Sequence, residues 1–283
     1  MNSFWTDLKL QFKMGDVTTK LIFWNVGAFL LSIVFFYRFR EGYFDYPAWI
    51  GLSADWRTVL IHPWTIISYG FLHAGFWHLF MNMVVLNLSG RFFLTYFTQK
   101  QLFGLYILGM IFSGLSLPLL APLLGDGGII VGASGAVMAV LLATTIYGPN
   151  LELRLWGIIK LKLWHFTAFF LLTDVLYLLV ENTGGHVAHL SGAFFGFLYI
   201  KLLQNGTDLS KIVSFVTELP NRKNKSPLKT VHKNTSRPAP KSKIVIKDKK
   251  QQQIDEILDK ISRSGYDSLS QEEKDFLWRA GKE

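Results

Sequence analysis

Four polar side chains that could perform acid–base or nucleophilic chemistry lie inside long apolar segments of this chain: Ser134, His189, His78 and Asn82. A serine becomes a nucleophile when a histidine within hydrogen-bonding distance accepts its proton. An imidazole and an amide can in turn donate hydrogen bonds to the oxyanion that forms when the serine attacks a carbonyl. These residue types indicate acyl transfer by a serine hydrolase.

Small residues surround two of these side chains, and they allow a plainer interpretation. Gly132 and Gly135 flank the serine, and His189, Gly192 and Gly196 follow the spacing i, i+3, i+7, which places them on one face of a helix. Small residues let transmembrane helices approach closely. The serine is therefore either a packing residue or a nucleophile, and the glycines predict that the face carrying the histidine meets a neighbouring helix.

Two alternatives remain for the other polar residues. His78 and Asn82 are four residues apart, so on one helix face they could also cap loops or hold helices together by hydrogen bonds. A metal site is the other interpretation of the histidines, but the sequence has no Cys, no HExxH motif and no carboxylate beside the histidines at ligand spacing. The sequence therefore predicts neither a metal nor another cofactor.

The elements that carry these residues are apolar runs long enough to cross a bilayer, which takes about 20 residues. Half of the 283 residues are hydrophobic and 15% are aromatic. Six such runs precede residue 205, at about 21–37, 70–90, 101–120, 129–147, 163–181 and 186–204. We therefore expect an all-α, polytopic membrane protein with six transmembrane helices and no cleaved signal peptide.

The distribution of Lys and Arg predicts that both termini lie in the cytoplasm. Basic residues precede the first run, flank the 2–3 and 4–5 loops and follow the sixth run, whereas the 3–4 and 5–6 loops have none. The basic 1–2 loop departs from this pattern. Runs 2, 4 and 6 then cross from outside to inside, which places Ser134, His189 and His78 at one depth below the outer surface. Polar groups at such a depth are costly and usually functional.

Outside the membrane domain at 21–204, the chain has three further parts. Residues 1–20 are predicted to be a cytoplasmic or interfacial segment. Residues 205–250 are predicted to be a disordered linker, because 221–250 contains 11 Lys or Arg against one Asp and accounts for the net charge of +9. Its partner is then an anionic lipid surface rather than nucleic acid. Residues 251–283 are predicted to fold as a helical hairpin that could bind another protein.

The hairpin prediction rests on periodicity and capping. Ile254, Ile257 and neighbouring apolar residues form a stripe at helical spacing. Gly265 is expected to end the first helix, and Ser270 with Glu273 has the spacing of a capping box that begins a second one.

Three motifs, in order along the chain, resemble those of the rhomboid family of intramembrane serine proteases. They are FLHAGFWHLFMN at 71–82, GASGA at 132–136 and AHLSGAFFG at 188–196. The resemblance covers about residues 20–204 and implies a rhomboid-like bundle. It also extends to a short C-terminal module of some bacterial members, which implies the inner membrane of a bacterium.

The resemblance implies a role for each polar residue. Ser134 would be the nucleophile and His189 the general base, working as a dyad without a carboxylate. His78 and Asn82, with the Ser134 backbone N–H, would form the oxyanion hole. His73 matches a histidine of the family whose part is structural.

The small residues also match the family pattern. Gly132 corresponds to the first glycine of the GxSG motif, which Gly135 completes, and Gly192 and Gly196 correspond to the close-packing glycines of the sixth helix.

Four residues stay open or depart from the family pattern. His186, three residues before the expected base, is its rival on the same helix face. Met138 stands where rhomboids often have an aromatic ring against the base, and Thr65 stands where many have Arg. Asp174, inside the fifth run, is either a hydrogen-bonding partner between helices or part of a gate.

The function implied is an intramembrane serine endopeptidase that cleaves single-span membrane proteins near the outer membrane boundary. Span 5 and the 5–6 loop would form the gate through which the substrate enters. The alternative is a catalytically silent relative that binds or escorts membrane proteins. Such relatives typically lack the serine or the histidine, and this chain has both.

Overall fold

The computed structural model describes residues 4–124, 128–155, 159–178, 180, 182–218 and 244–281. Most of them are helical. The helices are α1 (Phe4–Met14), α2 (Val17–Phe36), α3 (Trp56–Ile61), α4 (Thr65–Ser68), α5 (Phe76–Tyr96), α6 (Gln99–Leu124), α7 (Ser134–Tyr147), α8 (Leu163–Tyr177), α9 (Thr183–Gln204), α10 (Ser210–Glu218), α11 (Ile244–Ser264) and α12 (Gln271–Ala280).

Short antiparallel strand pairs connect some of these helices. The strands are β1 (Tyr37–Arg38), β2 (Tyr43–Phe44), β3 (Leu52–Ser53), β4 (Ile129–Ile130), β5 (Glu152–Leu155) and β6 (Ile159–Lys162), paired β1 with β2, β3 with β4 and β5 with β6. The chain divides into two compact units, 1–224 and 225–283. The first unit contains the apolar helices and the second contains the C-terminal hairpin.

Three described helices are long and apolar enough to cross a membrane: Val17–Phe36, Gln99–Leu123 and Thr183–Gln204. A fourth results if Thr65–Phe71 and Phe76–Tyr96, which meet at 94°, form one span. The fourth and fifth predicted runs correspond to α7 and α8, apolar helices of 14 and 15 residues. Within the described residues, helix length alone therefore supports three or four spans and does not confirm six.

Two of the polar motifs begin their helices later than the apolar runs suggest. The run at 129–147 starts with β4, which pairs with β3, and the helix itself begins at Ser134. Helix α5 begins at Phe76, so His73 lies in the bend before it. The expectation that Ser134 stands more than a turn inside its helix is therefore wrong. The first residues of the run at 129–147 belong to the β3–β4 strand pair, and the first residues of the run at 70–90 form the bend before α5.

Helices α7 and α9 touch backbone to backbone. A Cβ atom at Gly192 would collide with the carbonyl oxygen of Gly135, and one at Gly196 would collide with that of Ala139. Two helices come this close only where the side chain is absent. The predicted contact of the glycine face with a neighbouring helix is confirmed, and the neighbour is α7.

Hydrogen bonds between buried polar side chains join the other helices. Asn25 Nδ2 in α2 donates to Tyr106 Oη in α6 at 3.1 Å. The hydroxyl groups of Thr145 in α7 and Thr167 in α8 lie 2.6 Å apart. Such bonds between membrane helices contribute roughly 0.6 kcal/mol each on average, so close packing carries more of the stability than they do.

The segment between α2 and α5 is anchored without an arginine at position 65. Thr65 is buried, and its Oγ1 donates to the carbonyl oxygen of His62 at 2.6 Å. The Trp64 Nε1–H donates to the carbonyl oxygen of Trp49 at 2.6 Å. Neutral hydrogen bonds therefore hold this segment where the family pattern suggests a salt bridge.

The linker predicted at 205–250 is helical in its first part. Helix α10 (Ser210–Glu218) packs on α6, where Ser210 lies against Gly104, and Gln101 Nε2 donates to Asp208 Oδ2 at 3.2 Å. The prediction of disorder is wrong for residues 210–218, which form a helix in which Ser210 and Val213 are buried. Residues 219–243, with much of the basic cluster, lie outside the described residues.

The C-terminal hairpin forms as the capping signals predict. Helix α11 ends before Gly265, which has φ +79°, and the capping box of Ser270 and Glu273 begins α12. Lys260 Nζ donates to both oxygens of Glu273, at 2.8 and 2.9 Å. That hydrogen bond lowers the pKa of Glu273 below its ordinary value.

The contact of α7 with α9 predicts an asymmetry between two glycine substitutions. Gly196→Ala places a methyl group against the rigid Ala139 backbone and should destabilise the protein by about 1–3 kcal/mol. Gly27→Ala, whose Cβ meets no atom within 4 Å, should be neutral or stabilising because Ala is the better helix former. Thermal unfolding in detergent compares the two. Equal melting temperatures for both variants would contradict the contact.

Candidate active site

Ser134 lies at the N-terminal end of α7, directly after a tight turn. Gly132, two residues earlier, has φ +138°, and its N–H donates to the carbonyl oxygen of Tyr69 at 2.9 Å. The first N–H groups of a helix have no partner within the helix, and the helix dipole is positive at this end. The serine hydroxyl therefore lies where an anion is stabilised.

The residues singled out in the sequence line a common cavity. A cavity of about 130 Å³ is lined by side chains from α5, α7, α8 and α9, among them His78, Asn82, Ser134, Met138, Phe170 and His189. A second cavity, of about 310 Å³, is also lined by His78, Ser134 and His189. Three motifs that are far apart in sequence thus meet at one place.

The His78 ring lies directly beside Gly132. A Cβ atom at Gly132 would lie 2.9 Å from His78 Nε2 and 3.4 Å from Ser134 Oγ. His78 Nδ1 accepts a long hydrogen bond of 3.4 Å from the Ala74 N–H. Since a neutral imidazole that accepts at Nδ1 carries its proton on Nε2, His78 presents an N–H donor next to the serine.

Asn82 and His73 support this arrangement in different ways. Asn82 Nδ2 donates to the carbonyl oxygen of His78 at 2.9 Å, which uses one of its two amide protons. His73 is fully buried, and its ring packs edge-on against that of His78 with centroids 5.2 Å apart. Its two ring nitrogens have no hydrogen-bond partner among the described residues. These contacts fit the structural part expected of His73.

His189, rather than His186, faces the serine. His189 lines both cavities together with Ser134, whereas His186 lines neither and stacks on Tyr177 with centroids 6.2 Å apart. In the described part of the chain, Ser134 Oγ makes no direct hydrogen bond to the His189 ring. Such bonds are often long without substrate and shorten in the reacting complex. Met138 lines the cavity beside them in place of the aromatic ring.

A carboxylate that sequence spacing did not place near the histidines joins them in the fold. Asp174 in α8 is buried, and its Oδ1 accepts hydrogen bonds from His186 Nδ1 and His189 Nδ1, both at 2.8 Å. The interpretation of Asp174 as a hydrogen-bonding partner between helices is therefore correct. The statement that no carboxylate accompanies the histidines holds only along the sequence, because α8 and α9 are antiparallel neighbours.

The same three residues are the described group that could hold a metal ion. One ligand atom from each of Asp174, His186 and His189 lies within 4.8 Å of the others. The O···N distances of 2.8 Å, however, are those of charge-assisted hydrogen bonds. The three side chains are thus hydrogen-bonded to one another through Asp174 Oδ1.

In this bundle of apolar helices, a serine, two histidines and an asparagine line one cavity. That combination defines a class of membrane protein, and comparison with known proteins identifies its family. A model described as "Rhomboid domain" matches residues 61–205, just over half of the chain. The chain belongs to the rhomboid family, and it is a multi-pass membrane protein. Residues 245–282 match a second model, a family of unknown function (DUF6576).

A curated relative is similar over part of its length. "RHOMBOID-like protein 6, mitochondrial" of Arabidopsis thaliana is 31% identical over 161 residues, which cover 54% of this chain and 48% of the relative. The chain thus spans about half the length of this relative.

The Gly132 turn predicts a second contrast between matched glycines. Gly132→Ala adds a side chain at a positive φ and also drives it into His78, whereas Gly42→Ala at φ +78° meets no atom within 4 Å. Both should lose about 1 kcal/mol of stability from backbone strain. Only Gly132→Ala should also abolish labelling of Ser134 by a fluorophosphonate, measured by in-gel fluorescence. Full labelling of Gly132→Ala would show that His78 does not need this position.

Proposed function

We propose that this chain is an intramembrane serine endopeptidase that cleaves single-span membrane proteins near the outer boundary of the membrane. The observation that carries the proposal is the convergence of Ser134, His189, His78 and Asn82 on one cavity at the start of α7. Membership of the rhomboid family supports it. The reaction class is acyl transfer from the peptide to the serine and then to water.

In the proposed reaction, His189 Nε2 takes the proton of the Ser134 hydroxyl while Oγ attacks the scissile carbonyl carbon. The resulting imidazolium gives that proton to the leaving amine as the C–N bond breaks. Water then loses a proton to His189 and attacks the acyl-enzyme, and the serine leaves with that proton restored. The pair returns to its starting state, so no other group is consumed.

The developing oxyanion would be held by fixed donors. The His78 Nε2–H and the second amide proton of Asn82 stand beside the cavity, and the Ser134 backbone N–H begins α7. Apolar side chains such as Val137, Met138 and Phe170 line the same cavity, and hydrogen bonds to charge are stronger in such surroundings than in water. The arrangement favours the tetrahedral intermediate over the planar carbonyl.

The membrane placement of this site follows from charge. We propose six spans, with α7 and α8 as short spans, and cytoplasmic termini, because the basic residues cluster in the loops that would then face the cytoplasm. The placement in a bacterial inner membrane rests on the likeness of the C-terminal module. Helix α8 supplies Phe170 to the cavity, so its movement with the loop before α9 would admit an unwound substrate. Anionic lipids would attract the basic linker.

The dyad predicts which variants lose activity. Ser134→Ala and His189→Ala should lower kcat by at least about 10³-fold on a single-span test substrate in proteoliposomes, since members of a catalytic unit fail together. His186→Ala should still cleave. Cleavage by Ser134→Ala at the wild-type rate would refute a serine protease, and an inactive wild type that still binds the substrate would indicate an escort protein.

The oxyanion donors predict a smaller loss. His78→Ala and Asn82→Ala should each lower kcat by about 10²- to 10³-fold with little change in KM, because the donors act on the transition state. Asn87→Ala is the matched control, because Asn87 lies on the same helix but lines neither cavity. Initial rates over a range of substrate concentrations separate kcat from KM. An equal loss in Asn87→Ala would attribute the effect to helix packing.

A further inference from the structure

Asp174 is a buried carboxyl group that the proposed reaction has not used. Only 4% of its surface is exposed, although it lies in α8 among apolar side chains. Its Oδ1 accepts from the Nδ1 atoms of His186 and His189 at 2.8 Å each, and its Oδ2 has no partner among the described residues. A buried carboxyl group with an unpaired oxygen costs free energy, so the position needs a reason.

The hydrogen bonds determine which ring nitrogen of His189 carries the proton. A carboxylate oxygen only accepts, so each histidine must donate from Nδ1–H. A neutral His189 with its proton on Nδ1 has a lone pair on Nε2. That is the tautomer able to take a proton from Ser134, whose side chain lines the same cavity.

The backbone places Asp174 where it can act on the reaction. Phe170, four residues earlier on α8, lines the cavity with Ser134 and His189, so the face that carries Asp174 is the face that meets the site. When His189 becomes an imidazolium, the negative charge of Asp174 lies 2.8 Å from its Nδ1 in surroundings of low polarity. Attraction between charges is much stronger there than in water.

His186 is the second donor to the same oxygen. Its ring stacks on Tyr177 and lies edge-on to His189, with ring centroids 5.9 Å apart. His186 lines neither cavity, and its hydrogen bond helps to hold the carboxyl group of Asp174 in place.

We propose that Asp174 is a positioning residue that holds His189 in the tautomer accepting at Nε2 and stabilises its imidazolium form, so that the serine and histidine work with a third member. This rests on the proposed protease function. It departs from the dyad without a carboxylate that the family resemblance implies. His186 supports Asp174 and does not itself act on the serine.

The decisive experiment compares Asp174→Asn with the wild type in the full-length protein. The amide has the same shape, but it can donate to His189 Nδ1 and so favour the wrong tautomer. We expect kcat to fall by about 10²- to 10⁴-fold, with KM and thermal stability near those of the wild type. Asp174→Glu should recover part of the rate. Asp45→Asn, which removes an exposed carboxylate paired with Arg38, should leave kcat unchanged.

A spectroscopic measurement does not depend on how the variants fold. Selective ¹⁵N labelling of histidine in the wild-type protein should place the neutral His189 proton on Nδ1. A proton on Nε2, or wild-type kcat in a folded Asp174→Asn, would overturn the proposal. Loss of activity with EDTA that Zn²⁺ restores would also overturn it, by making the three residues a metal site.

The controls separate this inference from the function on which it rests. If Ser134→Ala retains full activity, the protease function itself fails. If Ser134→Ala is inactive and Asp174→Asn is fully active, the enzyme is a serine protease that works as a dyad, and only the role of Asp174 fails.

Discussion

The direct backbone contact between α7 and α9 holds together the helices that carry Ser134 and His189. Gly192 and Gly196 lie against the carbonyl groups of Gly135 and Ala139, so a side chain at either glycine would force the two helices apart. Lipid tails are as apolar as leucine side chains, and helix association in a membrane therefore relies on such close packing. The contact sets the rotation of α9, and with it the direction in which His189 points.

Polar side chains lie close to this contact, in buried or half-buried positions where an unpaired polar group costs free energy. Ser134 begins α7, His73 fills the bend before α5, and Asp174 lies near the end of α8. The N-terminal end of α7 provides unpaired N–H groups and a dipole that favours an anion near Ser134. The C-terminal end of α8 has the opposite dipole, so Asp174 depends instead on its hydrogen bonds to the two histidines. The site is thus built from the ends of four helices, while their middles supply the packing that holds those ends together.

The family match and the site fit together. The chain belongs to the rhomboid family, and Ser134, His189, His78 and Asn82 line one cavity. Within the second unit, α11 and α12 form a hairpin held by a capping box and the Lys260–Glu273 ion pair, and residues 245–282 match a separate family of unknown function.

Residue types and their spacing in the sequence were enough to single out the candidate site residues and the helix faces that carry small residues. Its apolar runs located six helices, its glycine spacing identified the close contact of α9, and its motifs singled out Ser134, His189, His78 and Asn82, since periodicity and residue type act locally. It missed α10, which packs on α6 where Ser210 lies against Gly104. It also overestimated the length of α7, because the first residues of the run at 129–147 form strand β4, which pairs with the distant strand β3.

The partner of each polar group depends on how the helices pack. His186 and His189 are three residues apart on one helix face, and the rotation of α9 against α7 turns His189 toward the serine. Asp174 precedes His189 by 15 residues, and it reaches both histidines because α8 and α9 run antiparallel. A hydrogen bond depends on distances of a few tenths of an ångström, which spacing along a chain does not specify and the packing of helices does.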